Sequence, residues 1–181
     1  MRSSILLLIT LLISCTNADK EKYLFDRLTD EETVIIYLSK YNLDTVPQEI
    51  GRLKKVKDLY ITMDSTNGWT IYPPLSALHQ MIEIPPFRQL PEEITELTNI
   101  ETLGLVGLDL KTLPDSFGRL EKLDSLNLGL NKLTISNELE KLRKLKNLKY
   151  LGLFCNRVDT VDIKELKREN PNLIIDSGLD Q

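Results

Sequence analysis

One eight-residue phrase occurs three times in this 181-residue chain and restricts its possible folds more than any other feature. The copies read VPQEIGRL at 46–53, LPEEITEL at 90–97 and LPDSFGRL at 113–120. Pro91 and Pro114 are 23 residues apart, while Pro47 and Pro91 are 44 apart, about two such lengths. Self-similarity at this period is typical of chains built from stacked supersecondary units. The phrase therefore predicts a solenoid or an array of repeats.

A second signature, of alternating leucines, stands ahead of these phrases and predicts short strands. Its clearest copy is Leu123-x-x-Leu126-x-Leu128-x-x-Asn131-x-Leu133. Further copies start at Ile100 and Leu148, and weaker ones start at Thr33 and Val56. The period is 23 residues from Thr33 to Val56 and from Ile100 to Leu123, and 25 from Leu123 to Leu148. In a strand alternate side chains point to one face, so each copy presents a row of leucines inward. One such unit cannot bury its leucines alone, and stacking with its neighbours is required.

Together the two signatures resemble the 23-residue LPxxIxxL variety of the leucine-rich repeat family, over roughly residues 33–175. The resemblance implies an α/β fold: a leucine-rich repeat solenoid with a concave parallel β-sheet and a convex side of short helices, 3-10 turns and loops. In this family an asparagine of each repeat bonds neighbouring backbone in the turn. Only Asn131 and Asn156 fill that role here, and the equivalent slots hold Tyr41, Asp64 and Leu108. We therefore expect the asparagine ladder to be broken in the first repeats.

The repeat domain is expected over 23–181, with both ends sealed. The N-terminal cap is predicted from the apolar residues Tyr23, Leu24, Phe25 and Leu28, and a terminal strand is predicted at 173–175. A convex helix is predicted within 136–148, with Ser136 or Asn137 at its N-cap position. Cys155 is expected to be a small packed side chain.

Residues 62–89 depart most from the repeat pattern and contain the chain's single tryptophan and single histidine. Two interpretations compete for this irregular segment: an insertion of about 21 residues, or a degenerate repeat with Ile82, Phe87 and Leu90 in its core. We favour the degenerate repeat with a projecting loop. Trp69, Tyr72 and His79 form a secondary candidate binding loop, although Trp69 would equally well fill a gap in the core.

In leucine-rich repeat proteins the exposed strand positions of the concave sheet commonly contact a partner. Carried over to this chain, the rule predicts a protein-binding concave face with anchors at Tyr37, Tyr60, Tyr150 and Phe154. Further contacts are predicted at Met63, Val106, Asn127 and Leu130. In this interpretation Tyr37 and Tyr60 occupy the same position of consecutive strands. The alternatives are that tyrosine, glycine and valine simply suit strands, or that the repeats serve as a structural envelope spacer.

The amino-terminal stretch predicts export. One charge at Arg2 and an apolar run from Ile5 to Ile13, too short to span a bilayer, are typical of a signal peptide at 1–14. Leu12-Ile13-Ser14-Cys15 resembles a bacterial lipobox, which implies lipidation of Cys15 and a lipidated tether at 15–22. The expected location is the bacterial cell envelope as a membrane-anchored lipoprotein, with the outer membrane favoured over the inner. A secreted protein without lipid is the alternative.

Composition excludes several other classes of function. A net charge of −4 offers no basic footprint for nucleic acid. With two cysteines and one histidine the sequence predicts no metal site, no cofactor and no disulfide framework. A serine triad would need His79 with Asp64 and a serine such as Ser65 or Ser76, but no nucleophile-elbow motif accompanies them. We therefore predict a monomeric binding protein rather than an enzyme, with a protein partner of unknown identity.

Overall fold

The computed structural model describes residues 23–63 and 89–178. Six short strands follow one another along the described chain: β1 (Thr33–Tyr37), β2 (Asp58–Thr62), β3 (Thr102–Leu105), β4 (Ser125–Asn127), β5 (Tyr150–Gly152) and β6 (Ile174–Asp176). They form one open sheet in sequential order, and every neighbouring pair is parallel. Consecutive parallel strands require a crossover on one side of the sheet. The chain therefore winds as a solenoid with the strands on one face.

The core lies between the sheet and these crossovers. Inward side chains form two columns across the strands: Val34, Leu59, Leu103, Leu126, Leu151 and Ile175 in the first, and Ile36, Ile61, Leu105, Leu128 and Leu153 in the second. All are buried except Ile175, which is partly buried in the edge strand. The predicted alternation of the strands is confirmed by this arrangement.

The repeated phrase forms 3-10 helices on the convex side, at Gln48–Arg52, Glu92–Glu96 and Phe117–Arg119. The first two begin directly after the proline of the phrase, a position where the missing N–H of proline costs nothing. The last two apolar residues of each phrase are completely buried: Ile50 and Leu53, Ile94 and Leu97, Phe117 and Leu120. The phrase is therefore a packing element that closes the core opposite the strands.

Two α-helices replace the 3-10 helices in the last repeats: α1 (Ile135–Leu142) and α2 (Thr160–Glu169). The helix predicted within 136–148 exists as α1, but its N-cap is Thr134, so the predicted caps Ser136 and Asn137 are wrong. The helix starts earlier because Ile135 is drawn completely into the core. Helix α2 was not predicted from the sequence, although its N-cap Asp159 accepts bonds from two amides of the first turn at 2.8 Å each.

The sheet passes directly from β2 to β3, the last strand of the first described range and the first strand of the second. Strand β2 pairs directly with β3, with Asp58 opposite Thr102, and the 3-10 helix Gln48–Arg52 packs on Glu92–Glu96. The favoured degenerate repeat would have placed a strand between β2 and β3, and that interpretation is wrong. Of its proposed core residues, Leu90 is buried, while Ile82 and Phe87 lie outside the described residues.

The first repeat is shifted by two residues from the predicted alignment. Thr33 lies opposite Asp58, and Ile35 lies opposite Tyr60. Tyr37 and Tyr60 therefore do not occupy the same position, and Tyr37 pairs with Thr62 instead. The turn slot predicted for Tyr41 falls at Ser39, two residues earlier. The pattern was ambiguous because Val34, Ile36 and Leu38 alternate and are all buried.

The predicted N-terminal cap forms around Phe25. Its ring is buried and meets Tyr41 edge-on, with ring centroids 5.4 Å apart. Leu28 is partly buried against the core, whereas Tyr23 and Leu24 remain exposed. At the other end, β6 matches the predicted terminal strand within one residue. Within residues 23–63 and 89–178, no helix has the length and apolar character needed to cross a membrane.

Candidate functional site

The concave face is made by the outward side chains of the six strands. The first outward column holds Thr33, Asp58, Thr102, Ser125, Tyr150 and Ile174, and the second holds Ile35, Tyr60, Gly104, Asn127, Gly152 and Asp176. Large apolar and aromatic side chains stand at the two ends of the sheet. Small and polar side chains occupy β3 and β4 between them. The large apolar surface of the face is therefore at its two ends, where Asp58 and Asp176 also stand, and the middle is low and uncharged.

At the N-terminal end, Ile35 and Tyr60 are neighbours across β1 and β2 and are 56% and 42% exposed. The Tyr60 ring lies over the backbone of Gly104, since a Cβ atom there would be 2.7 Å from the Tyr60 Cδ1 atom. Tyr37 is half-buried, and the Lys40 ammonium lies 4.4 Å from its ring centroid. The glycine of the next strand thus lets the Tyr60 ring rest against the sheet.

At the C-terminal end, Tyr150 is half-buried and lies opposite Ile174, which is 65% exposed. Burial raises the pKa of Tyr150, and the nearby Asp176 carboxylate, which accepts a hydrogen bond from the Tyr150 hydroxyl, raises that pKa further. The hydroxyl would be 3.2 Å from a Cβ atom at Gly152. This tyrosine is therefore held in one orientation by a glycine beneath it and an aspartate beside it.

Two more predicted residues are held in place beyond the ends of β4 and β5. The Phe154 ring covers Gly129, where a Cβ atom would overlap the ring, and Phe154 itself is half-buried. Asn127 accepts a hydrogen bond from the Gly129 amide at 3.0 Å, which fixes its side chain on the sheet. Val106 and Leu130 are half-buried, and Leu130 has a left-handed backbone with φ of +57°.

Some predicted contacts lie elsewhere. Met63 is packed against the core, so it contributes less to the face than its strand position implied. Cys155 was expected to be packed but is exposed, because a left-handed backbone with φ of +58° turns its side chain out. The secondary candidate loop with Trp69, Tyr72 and His79 lies outside the described residues, as does Cys15.

The predicted set of partner-binding residues left out the aliphatic and acidic members of the face. Ile35 and Ile174 were not among the predicted partner-binding residues, yet both are more exposed than Tyr60. Asp58 and Asp176 also point outward, because the residues next to them, Leu59 and Ile175, point inward. The signal was the alternation of the edge strands, which identifies the face of every residue once the register is known.

The charged residues at the outward strand positions are all acidic. Outward positions of β1 to β6 carry the two carboxylates Asp58 and Asp176 and no lysine, arginine or histidine. Nor do the residues in the two described ranges bring three or more possible metal ligands together. The described face is thus equipped for binding by apolar contact, hydrogen bonding and negative charge.

No protein-family model and no curated protein sequence matches the chain. Several solved structures are similar to it. They include a leucine-rich repeat protein from Leptospira interrogans, with 29% identity, a TM-score of 0.46 and coverage of 72% of this chain and 33% of that one. The leucine-rich repeat ectodomain of a receptor kinase from Arabidopsis thaliana has 23% identity, a TM-score of 0.44 and coverage of 74% and 62%. An internalin from Listeria monocytogenes has 13% identity, a TM-score of 0.45 and coverage of 72% and 37%.

The chain spans between one third and just under two thirds of the length of these three structures. The fold assignment therefore depends on the molecule's own geometry: six sequential parallel strands, a repeated phrase that forms 3-10 helices packed on the core, and asparagines that are hydrogen-bonded across the turns. The chain has the leucine-rich repeat fold, in the α/β form that its sequence resembles.

Proposed function

We propose that this chain is a lipid-anchored protein of the bacterial cell envelope that binds a protein partner through its concave face. The observation that carries the proposal is the exposed pair of Ile35 and Tyr60, which lie side by side at the center of two strands. Apolar side chains that adjoin on a surface tend to mark interaction sites. Tyrosine is also among the residues that most often dominate the energy of a protein interface.

The aromatic side chains of the face are held before any partner arrives. Tyr60 lies over Gly104 and Phe154 over Gly129, and the Tyr150 hydroxyl is bonded to Asp176. Ordering a side chain at an interface costs roughly 0.5–1.5 kcal/mol. Side chains that are already restrained lose less freedom on binding, which favours a binding role for this surface over that of a passive spacer.

Lipid anchoring is proposed from the sequence around Cys15. After cleavage, the thioether lipid on Cys15 would hold the chain to the membrane, with residues 16–22 as the link to the cap at Tyr23. Each buried methylene contributes about 0.8 kcal/mol, so one acyl chain anchors marginally and two or more anchor stably. A tether of this kind leaves the concave face free to meet a partner in the envelope.

The binding proposal is tested by photocrosslinking in living cells. A photoreactive amino acid replaces Ser125 in the middle of the concave face, or Lys144 on the convex side as the control. We expect one defined protein adduct from position 125 and none from position 144. Tyr60→Glu should abolish the adduct, while Val161→Glu, at an apolar side chain 61% exposed on α2, should leave it unchanged. Equal adducts from both positions would contradict a concave binding site.

The anchor is tested separately with a clickable palmitate analogue and detergent phase partition. The native chain should take up the label and enter the detergent phase. Cys15→Ala should lose the label, whereas Cys155→Ala should retain it because its thiol lies in the repeat domain. A native chain that takes up no label would show that the protein is not lipidated.

A further inference from the structure

We infer that the concave face is a two-part site whose partner is a protein segment with two apolar side chains, each beside a lysine or arginine. The inference rests on the proposed function, because it names the chemistry of the partner for the same face. It follows from three properties of the strands: the matching composition of the two ends, the spacing between them and the sign of their charge.

The two ends of the face have the same three components. The N-terminal anchor consists of Ile35, Asp58 and Tyr60, and the C-terminal anchor consists of Tyr150, Ile174 and Asp176. In each anchor the isoleucine lies directly opposite the tyrosine on the adjacent strand. In each, the aspartate stands two residues along one of those strands and therefore on the same face. Each anchor thus presents an exposed aliphatic side chain, a restrained ring and a carboxylate.

The strands between the anchors leave space for one continuous partner. Outward positions of β3 and β4 hold Thr102, Gly104, Ser125 and Asn127. The Asn127 side chain accepts a hydrogen bond from the Gly129 amide, which holds it against the sheet. Tyr60 on β2 and Tyr150 on β5 are three strand spacings apart, roughly 14 Å. About three turns of a helix, or eleven residues, cover that distance and bring the second side chain back to the same face. A single segment can therefore reach both anchors across the low middle of the sheet.

The charge of the anchors selects a basic partner. Asp58 accepts a hydrogen bond from the Thr33 hydroxyl at 3.2 Å, and Asp176 accepts one from the Tyr150 hydroxyl. Neither bond neutralises a carboxylate, since both donors are uncharged. Of the cations at the adjoining rim, Lys57 pairs with Glu32 at 2.9 Å and acts on Asp58 only through its charge, and Lys149 pairs with Asp124 at 3.1 Å. The Lys40 ammonium lies over the Tyr37 ring.

Opposite charge across an interface steers association, and like charge rejects wrong partners. A segment with a lysine or arginine beside each apolar anchor would meet both aspartates. An acidic segment would place like charges against both carboxylates. The face should therefore select its partner by the sign of the partner's charge as well as by apolar contact.

Designed peptides test both properties on the purified full chain in mild detergent, with fluorescence anisotropy as the readout. The first peptide is a helix with two leucine–lysine pairs eleven residues apart, about three turns, so that both pairs lie on one face of the helix. The second replaces both lysines by glutamate, and the third replaces one of the two pairs by alanines. We expect the first peptide to bind and the third to bind about a hundredfold more weakly, since one of two linked contacts is lost. The second should show no measurable binding.

Variants of the protein complete the test. Asp58→Asn/Asp176→Asn keeps the shape of both side chains and should weaken the first peptide at least about tenfold. The charge-matched control is Asp115→Asn/Glu140→Gln, which removes two convex carboxylates that are 100% and 83% exposed. It should bind the first peptide as the native chain does. Circular dichroism spectra of both double variants confirm that they are folded.

The outcomes separate this inference from the function on which it rests. Equal binding of the glutamate peptide would overturn the charge assignment, and equal binding of the single-pair peptide would overturn the two-part site. If no peptide binds while the Tyr60-dependent adduct at position 125 persists, the inference fails and the proposed function stands. If that adduct is lost as well, both the inference and the proposed function are contradicted.

Discussion

The turns after β3 and β4 satisfy the hydrogen bonds of their backbone groups with different residues. After β4, Asn131 is buried and its amide bonds two turns at once. It accepts from the amides of Leu108 and Leu110 at 3.1 Å each, and it donates to the carbonyls of Leu105 at 2.7 Å and Leu128 at 2.8 Å. The turn after β3 has Leu108 in the equivalent slot and takes its hydrogen bonds from the neighbour's asparagine. A repeat can therefore lack the asparagine if the next repeat has one.

The same comparison extends to the two halves of the molecule. Asn156 accepts from the Leu133 amide at 3.0 Å and donates to the Leu128 carbonyl at 2.8 Å, the same carbonyl that Asn131 reaches. The first repeat has Ser39 in that slot and is closed by the packing of Phe25 on Tyr41 instead. Buried amide bonds thus link the C-terminal turns, whereas ring packing holds the N-terminal one.

The largest effect should come from removing the shared asparagine. Asn131→Ala leaves buried backbone groups of two turns without partners, at a cost of about 1–3 kcal/mol for each group that water cannot reach. We expect a loss of about 3–5 kcal/mol in the free energy of unfolding, measured by urea denaturation. Asn137→Ala, an exposed asparagine on α1, is the control and should change it by less than about 0.5 kcal/mol. A loss below about 1 kcal/mol for Asn131→Ala would show that the turns do not depend on the amide.

A second contrast separates the buried carboxylate of α1 from an exposed one. The Glu138 carboxylate is 2% exposed, accepts from the Leu113 amide at 3.2 Å and lies 3.0 Å from the Lys141 ammonium. Glu138→Ala leaves that largely buried ammonium with only the fully exposed Asp115 carboxylate, 3.6 Å away, as an ion-pair partner, so we expect a loss of about 3 kcal/mol in the free energy of unfolding. Glu92→Ala, at an exposed carboxylate, should cost about 1 kcal/mol.

A double variant checks the reason for that difference. In Glu138→Leu/Lys141→Met both charges are replaced by apolar side chains of similar size, and such replacements are often neutral or stabilising. The urea midpoint of the double variant should therefore recover most of the loss. If it is as low as that of Glu138→Ala, the hydrogen bond to Leu113, rather than the lysine charge, accounts for the cost.

The third contrast concerns the residue just before each turn slot. Gly107, Leu130 and Cys155 all have left-handed backbones there, with φ of +67°, +57° and +58°. A Cβ atom at Gly107 would touch nothing, so Gly107→Ala isolates the backbone strain and should cost about 1 kcal/mol. Cys155→Gly relieves similar strain but adds freedom to the unfolded chain, so its net change should stay within about 0.5 kcal/mol. In thermal unfolding, Gly107→Ala should lower the Tm, whereas Cys155→Gly should leave the Tm nearly unchanged.

The sequence predicted those parts of the fold that local patterns encode. Strands β2 to β5 followed from alternation and spacing, and the convex 3-10 helices and the two bonded asparagines followed from the resemblance to leucine-rich repeats. The register of β1 did not, because Val34, Ile36 and Leu38 satisfy two alignments equally well. Helix α2 was missed because Asp162 occupies its buried face, where it accepts a bond from the Asp159 amide at 3.1 Å. A buried polar residue removes the apolar periodicity by which helices are recognised.

The sequence predicted which face of the sheet carries the candidate site, but not the full set of residues that form the site. The outward tyrosines were identified from the alternation of inward and outward side chains along each strand. The neighbours that restrain them, such as Gly104 beneath Tyr60 and Asp176 beside Tyr150, lie 44 and 26 residues away in the sequence. Contacts of this range depend on strand register, which a 25-residue step from β1 to β2 and a 44-residue step from β2 to β3 obscured.

The smallest effect expected is a pH dependence at the contact between the Glu92–Glu96 helix and the next phrase. A hydrogen bond from the Ser116 hydroxyl lowers the pKa of Glu92 most; burial opposes it, and the amides of Asp115 and Ser116 and the Lys141 charge lower it further. A lowered folded-state pKa adds stability above the ordinary glutamate value of about 4.3, and this stability is lost as the pH falls through the folded pKa.

Because the Glu92 carboxylate is exposed, water and salt should reduce its contribution to a few tenths of a kcal/mol. Glu92→Gln should therefore unfold at a lower Tm than the native chain at pH 7 and at nearly the same Tm at pH 3. Glu121→Gln, at another exposed glutamate of the convex side, should follow the native profile throughout. If the gap between Glu92→Gln and the native chain is equal at both pH values, the carboxylate's charge adds nothing to this contact and only its geometry matters.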